Sequence, residues 1–140
     1  MKWIIAYCVA AVAFGVVDAL WLRWAGPNLY RPALGDLLAP QFRLAPAMAF
    51  YALYLGGIVW FAVRPALAAA DPTALLAGVP LAVLNGALLG MIAYATYDLT
   101  NQATLRHWSG QITLIDIAWG ASATALASGI AAIAAQRFAS

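Results

Sequence analysis

Long apolar runs, separated by short polar stretches, dominate the hydrophobic pattern of the chain. A helix needs about 20 mostly apolar residues to cross roughly 30 Å of hydrocarbon. Four runs meet this requirement, at about residues 3–24, 44–63, 75–100 and 112–138. The pattern therefore predicts an all-α integral membrane protein, in which a four-helix transmembrane bundle forms one domain over residues 1–140.

Prolines and capping residues mark the predicted ends of these helices. Asp71 and Pro72 form an N-cap and first-turn pair before the third span. Ser109 is positioned to cap the fourth span, and the pair Arg64 and Pro65 is expected to end the second.

The connection between the first two spans is apolar but contains three prolines, Pro27, Pro32 and Pro40. Because prolines interrupt a long helix, the composition predicts a short, broken segment that lies in the membrane interface. The polar stretch 101–111 forms the other connection on the same side of the membrane.

Composition supports the membrane assignment and excludes several other classes. The chain is 66% hydrophobic and 9% charged, whereas a soluble domain is about 25% charged. A soluble enzyme, a nucleic-acid binder and a disordered linker are excluded, and the single Cys8 excludes a disulfide scaffold. Lys2 leaves open a cleaved signal peptide, although the uninterrupted apolar run favours a retained span. The Lys and Arg residues near the span ends do not decide the orientation.

Three of the five aspartates, Asp18, Asp98 and Asp116, lie within the predicted spans. A carboxyl group in the membrane is costly and normally faces a bundle interior or a wet cavity, so it marks a functional site. The first and third spans run opposite to the fourth, and each of the three residues lies near the same membrane surface. The connectivity therefore predicts a polar pocket in one leaflet.

Helical spacing places an indole beside two of these carboxyls. Asp18 and Trp21 are separated by three residues, as are Asp116 and Trp119, so each pair shares a helix face. An indole can donate a hydrogen bond to a carboxyl and exclude water from it, which suits acid–base work.

The predicted site divides into acid–base and binding residues. The acid–base candidates are Asp98, Asp116 and Asp18. An arginine would hold an anionic head group, while the other polar groups would orient the substrate. The predicted binding residues are Tyr97, Asn101, Trp21, Trp108, Trp119, Arg23 and Arg106.

No sequence motif indicates a metal site or a cofactor, and none is predicted. The expected ligand is a membrane lipid or a small amphiphile, and no nucleic acid is expected as a partner. Small residues line one face of the third span, around Gly86 and Gly90, and one face of the fourth, around Gly120 and Thr124. Such faces let helices approach closely, either within the chain or in a homodimer.

Three segments carry a resemblance to a known family. The segment 90–101, with the sequence GMIAYATYDLTN, is followed by Trp108, and the segments 18–22 (DALWL) and 116–120 (DIAWG) lie near the two ends of the chain. Together they resemble the DUF2177 family of bacterial predicted membrane proteins. The resemblance implies a multi-pass protein of the bacterial inner membrane. It also hints at lipid chemistry, because genes of this family often neighbour genes for enzymes that modify fatty acyl chains.

Three classes of function fit these features. The first is a protein that acts on or handles a lipid or amphiphile, with or without catalysis. The second is a small proton-coupled transporter that works as a dimer, although Asp18 lies off-centre for such a role. The third is a non-catalytic assembly protein, whose carboxyls should all be paired and which should have no cavity.

Overall fold

The computed structural model describes residues 1–71, 74 and 76–138 of the chain. These residues form helices, with no β-strand among them. Four stretches within them are long and apolar enough to cross a membrane: Lys2–Leu37, Leu44–Ala69, Val79–Thr104 and Gly110–Arg137. The predicted all-α bundle of four transmembrane helices is confirmed.

The first two spans are built from several helical pieces, and the last two are single helices. The pieces of the first span are α1 (Lys2–Ala25), a π-helical turn (Gly26–Tyr30), α2 (Arg31–Leu34) and a 3₁₀ turn (Gly35–Leu37). Those of the second are α3 (Leu44–Gly57), a π-helical turn (Ile58–Val63) and α4 (Arg64–Ala69). The last two spans are α5 (Val79–Thr104) and α6 (Gly110–Arg137).

The helical backbone continues through prolines that were expected to interrupt it. The sequence Arg-Pro-Ala-Leu begins both α2 and α4, and each copy follows a π-helical turn. The backbone N–H of the arginine closes this turn. That of Arg31 donates to Gly26 O in the first span, and that of Arg64 donates to Val59 O in the second. The wider turn gives the proline ring room against the preceding carbonyl groups. The expectation that Pro65 ends the second span is therefore wrong.

The connection after α1 differs from the predicted broken segment for the same reason. The part Gly26–Leu37, called here the helix 1 extension, is helical despite its prolines. At about 1.5 Å per residue, the stretch Lys2–Leu37 is longer than the roughly 30 Å of hydrocarbon. The extension therefore reaches the membrane interface, where the backbone turns at Gly35, with a φ of 46°.

The ends of the last two helices agree partly with the prediction. Ser109 caps α6, since its hydroxyl oxygen accepts a hydrogen bond from the N–H of Ile112 at 3.4 Å, as predicted. The helix α5 begins at Val79, after Gly78, with a proline in its first turn. Pro72, half of the predicted cap of this span, lies outside the described residues.

Glycines bring α5 and α6 into backbone contact. A Cβ atom at Gly90 would collide with the carbonyl oxygen of Gly120, and one at Gly86 would collide with the side chain of Ser128. The space beside Gly120 is filled by the ring of Tyr94. The small-residue faces around Gly86, Gly90 and Gly120 thus make contacts within the chain.

The helix ends bring the three aspartates to one end of the bundle, called here the site end. Asp18 lies about seven residues before the end of α1, and Asp98 about six before the end of α5. Asp116 lies about six residues after the start of α6. At 1.5 Å per residue, each is roughly 10 Å from that end along its helix. All three side chains are buried.

Candidate functional site

Asp18 is held by two hydrogen-bond donors from other helices. The hydroxyl group of Tyr51 on α3 donates to its Oδ2, and the indole N–H of Trp119 on α6 donates to its Oδ1 at 3.4 Å. Tyr51 lies about seven residues after the start of α3, which matches the depth of Asp18 on α1. The carboxyl of Asp18 therefore joins three helices.

Asp116 has a different partner, supplied by the helix 1 extension. The hydroxyl group of Tyr30 donates to Oδ1 of Asp116 at 2.6 Å. The indole N–H of Trp21 donates in turn to the hydroxyl oxygen of Tyr30 at 3.0 Å. This chain of two hydrogen bonds attaches the extension to α6.

The two Asp-x-x-Trp segments pair across the antiparallel helices α1 and α6. The rings of Trp21 and Trp119 stack, with centroids 4.4 Å apart and planes 10° from parallel. Since the helices run in opposite directions, each indole lies level with the aspartate of the other segment. Trp119 therefore bonds Asp18 directly, whereas Trp21 reaches Asp116 through a tyrosine hydroxyl.

Asp98 on α5 is the one carboxyl of the three that has no donor. It has no exposed surface, and neither of its oxygens has a hydrogen-bond partner among the described residues. It interacts electrostatically with Asp116 and with Tyr30. A buried polar group without a partner costs about 1–3 kcal/mol and calls for a functional explanation. A bound cation or hydrogen-bond donor would remove this cost.

A half-open cavity of about 350 Å³ lies at the site end, between the helix 1 extension and the ends of α5 and α6. Its lining combines aromatic, aliphatic and charged side chains. The lining residues are Gly26, Tyr30, Arg31, Leu34, Leu38, Tyr97, Trp108 and Asp116. Asp98 is not part of the wall.

Two predicted binding residues, Tyr97 and Trp108, form one corner of this cavity. Their rings meet edge to face, with centroids 5.9 Å apart and planes at 77°. The indole N–H of Trp108 donates to Oγ1 of Thr113 at 3.1 Å, and this hydroxyl donates to Oε1 of Gln102 at 2.9 Å. These bonds fix the indole against the first turn of α6.

The remaining predicted binding residues lie elsewhere. Trp21 and Trp119 serve the carboxyl network rather than the cavity wall. Asn101 is partly buried one turn after Asp98. Arg23 and Arg106 are exposed and do not line the cavity.

Three residues of the site were not among the predicted acid–base and binding residues: Tyr30, Arg31 and Tyr51. A signal for Tyr51 existed, because this residue and Tyr54 are the polar side chains of the otherwise apolar helix α3 and lie three residues apart. Tyr54 also uses its hydroxyl, which is 2.7 Å from Oγ1 of Thr124. Tyr30 and Arg31 gave no such signal, because the helical course of the extension was not expected.

The carboxyl groups do not form a metal-binding cluster. Among residues 1–71, 74 and 76–138, no three Asp, Glu, His or Cys side chains are grouped so that they could hold a metal ion. The three aspartates instead form two groups, one of Asp98 with Asp116 and one of Asp18 alone, and the two groups are connected. Asp98 and Asp116 interact with each other, and Asp18 connects to Asp116 through the stacked indoles.

Four apolar helices around a buried polar site define a multi-pass helical membrane protein. The chain belongs to the family described as "Predicted membrane protein (DUF2177)", whose model matches residues 3–133. This match confirms the resemblance carried by the Asp-x-x-Trp segments and the Tyr-Asp-Leu-Thr-Asn segment. No curated protein and no solved structure matches the chain significantly.

Proposed function

We propose that the protein binds a lipid or a similar amphiphile in the cavity at the site end. The observation that carries the proposal is the composition of the cavity wall, where Asp116 and Arg31 share one space with Leu34 and Leu38. A ligand with both a polar head and an apolar tail fits such a wall. We also propose the bacterial inner membrane as its location, since helical bundles insert there while outer-membrane proteins are β-barrels.

The two neighbouring carboxyls give the site the means for acid–base chemistry on a bound head group. Asp116 lines the cavity, and Asp98, which does not, interacts with it electrostatically. A carboxyl screened from water can take up a proton from a ligand or deliver one to it. In this proposal Asp116 contacts the head group and Asp98 is its proton partner.

The binding step is tested by filling the cavity. A Cβ atom at Gly26 meets nothing within 4 Å, and this residue lines the cavity, so Gly26→Leu narrows the space without a collision. Gly15 on α1 is equally free of neighbours and lies outside the cavity, which makes Gly15→Leu the matched control. Protein extracted in a mild detergent is examined by native mass spectrometry for the amphiphile that it retains.

We expect the wild type and Gly15→Leu to retain equal amounts of the same amphiphile, and Gly26→Leu to retain at least tenfold less. Equal retention by all three proteins would show that the cavity is not the binding site. The acid–base step is tested separately, through the lipid composition of cells that lack the protein. The wild-type gene should restore that composition, whereas Asp98→Asn should not.

Proton-coupled transport is a second candidate, favoured by one observation. Buried polar groups continue along α6 beyond the level of Asp18, from Thr124, which pairs with Tyr54 of α3, to Ser128. The buried hydroxyl of Ser128 has no hydrogen-bond partner among the described residues. Proton flux into proteoliposomes that requires both the protein and the movement of a second solute across the membrane would support coupled transport. A pure assembly role is disfavoured by the cavity and by the unpartnered Asp98.

A further inference from the structure

The aromatic corner of the cavity meets the wall that carries a carboxyl group. Tyr97 and Trp108 stand nearly at right angles, and Tyr30 and Asp116 complete this part of the lining. Aromatic faces attract ammonium groups through their quadrupole, and desolvation strengthens this attraction. An aromatic corner beside a carboxyl is therefore the chemistry that recognises an organic cation.

The charge of the buried groups points to the same ligand. Asp116 is hydrogen-bonded by the phenol of Tyr30, and Asp98 has no hydrogen-bond partner among the described residues. Neither carboxyl has a cationic hydrogen-bond partner among the described residues, although Arg31 lines the same cavity. A ligand cation beside Asp116 would interact favourably with both.

A positive side chain lines the same cavity. Arg31 belongs to its wall and also to that of an adjoining space of about 620 Å³, which Gln41 and Arg43 line as well. A guanidinium group binds phosphate through paired hydrogen bonds. Arg31, which belongs to both walls, therefore provides a site for a phosphate group where the two spaces meet, and Arg43 adds positive charge to the second space.

We infer that the cavity selects an amphiphile with a zwitterionic head group, whose ammonium group lies against Asp116, Tyr97 and Trp108 and whose phosphate lies at Arg31. The acyl chains then run along Leu34 and Leu38 towards the membrane. This inference rests on the proposed function and adds the class of head group. It commits to a membrane phospholipid rather than a free phosphorylated amine, because most of the wall is apolar.

The test compares two phospholipids with identical acyl chains, the zwitterionic phosphatidylethanolamine and the anionic phosphatidylglycerol. Purified full-length protein is mixed with each in detergent micelles, and bound lipid is counted by native mass spectrometry. The variants are Asp116→Asn, which keeps an acceptor for Tyr30, and Arg31→Gln. Arg23→Gln, an exposed arginine outside the cavity, is the matched control.

We expect the wild type and Arg23→Gln to bind phosphatidylethanolamine at least tenfold more tightly than phosphatidylglycerol. Asp116→Asn should remove this preference while still binding lipid, and Arg31→Gln should weaken both lipids at least fivefold. Equal affinities in the wild type, or a preference that survives Asp116→Asn, would overturn the inference.

A final arm separates the lipid from its free head group. Soluble phosphoethanolamine, added at the concentration of the lipid, should displace less than a tenth of the bound phosphatidylethanolamine. If phosphoethanolamine displaced the bound lipid as completely as added phosphatidylethanolamine does, the ligand would not need to be a phospholipid, and this part of the inference would be overturned. The head-group inference can also fail without the proposed function. If the lipid retained by the wild type is anionic and Gly26→Leu abolishes its retention, the cavity is still the binding site and only the head-group inference fails.

Discussion

Asp18 on α1 and Asp98 on α5 are both buried, on parallel helices and at a similar depth from the site end. Asp18 accepts hydrogen bonds from Tyr51 and Trp119, whereas Asp98 has no donor within the described part of the chain. A carboxyl with all its donors in place stabilises the fold, because removing it leaves those donors unpaired. A carboxyl without donors destabilises the fold until something binds it. The comparison therefore leads us to propose a structural role for Asp18 and a functional role for Asp98.

The largest expected effect is the loss of the structural carboxyl. Asp18→Val leaves the hydroxyl of Tyr51 and the indole N–H of Trp119 without an acceptor, so the free energy of unfolding should fall by about 2 kcal/mol. Asp18→Asn keeps one acceptor oxygen and should lie between this variant and the wild type. Reversible unfolding by sodium dodecyl sulfate in mixed micelles, followed by circular dichroism, measures both. An unchanged midpoint in Asp18→Val would contradict the structural role.

The same substitution at the other aspartate should act in the opposite direction. Asp98→Val removes a buried group that has no partner, so the ligand-free protein should gain about 1 kcal/mol of stability. The same variant should no longer restore the lipid composition of cells that lack the protein. A loss of stability as large as that of Asp18→Val would show that the two carboxyls play the same role.

A smaller effect is expected from one donor of Asp18. Tyr51→Phe removes a single hydrogen bond and keeps the ring, so it should lower the free energy of unfolding by about 1 kcal/mol. Tyr97→Phe removes a hydroxyl from a side chain that is 61% exposed and serves as the control, with no measurable change expected. Similar midpoints for the two variants would argue against the Tyr51–Asp18 bond.

The smallest effect concerns the indole stack that links the two groups of carboxyls. Trp21→Phe, Trp119→Phe and the double variant form a double-mutant cycle, whose coupling energy should be about 0.5 kcal/mol. Strictly additive effects would mean that the stacked rings do not connect α1 with α6 energetically.

Much of the bundle could be predicted because hydrophobic length and connectivity fix it. Each apolar run is long enough to span the membrane, and alternating directions place Asp18, Asp98 and Asp116 at one end. The Asp-x-x-Trp spacing also identified residues that do share a network. Their roles as acid–base and binding residues stay predictions.

The partners of these residues could not be predicted, because they depend on the rotation of each helix about its axis. The hydropathy of α3 and of the helix 1 extension does not show which face each helix turns inward, so Tyr51 and Tyr30 received no role. The π-helical turns were equally hidden, since they arise where a regular helix meets Arg-Pro. Arg31 directly follows such a turn and lines the cavity. Because the turn could not be predicted, Arg23 and Arg106 were predicted as the binding arginines instead.

The pairing of Asp18 with an indole of α6 has a consequence for biosynthesis. Ribosomes deliver α1 long before α6, so the nascent chain must hold this carboxyl in the bilayer with Tyr51 as its earliest available donor. The remaining donor arrives only when the fourth span is inserted. Assembly of the site is thus a late event in translation. In a polypeptide truncated before α6, the carboxyl of Asp18 would lack the hydrogen bond from Trp119, and the membrane's quality-control proteases would act on such an incompletely folded chain.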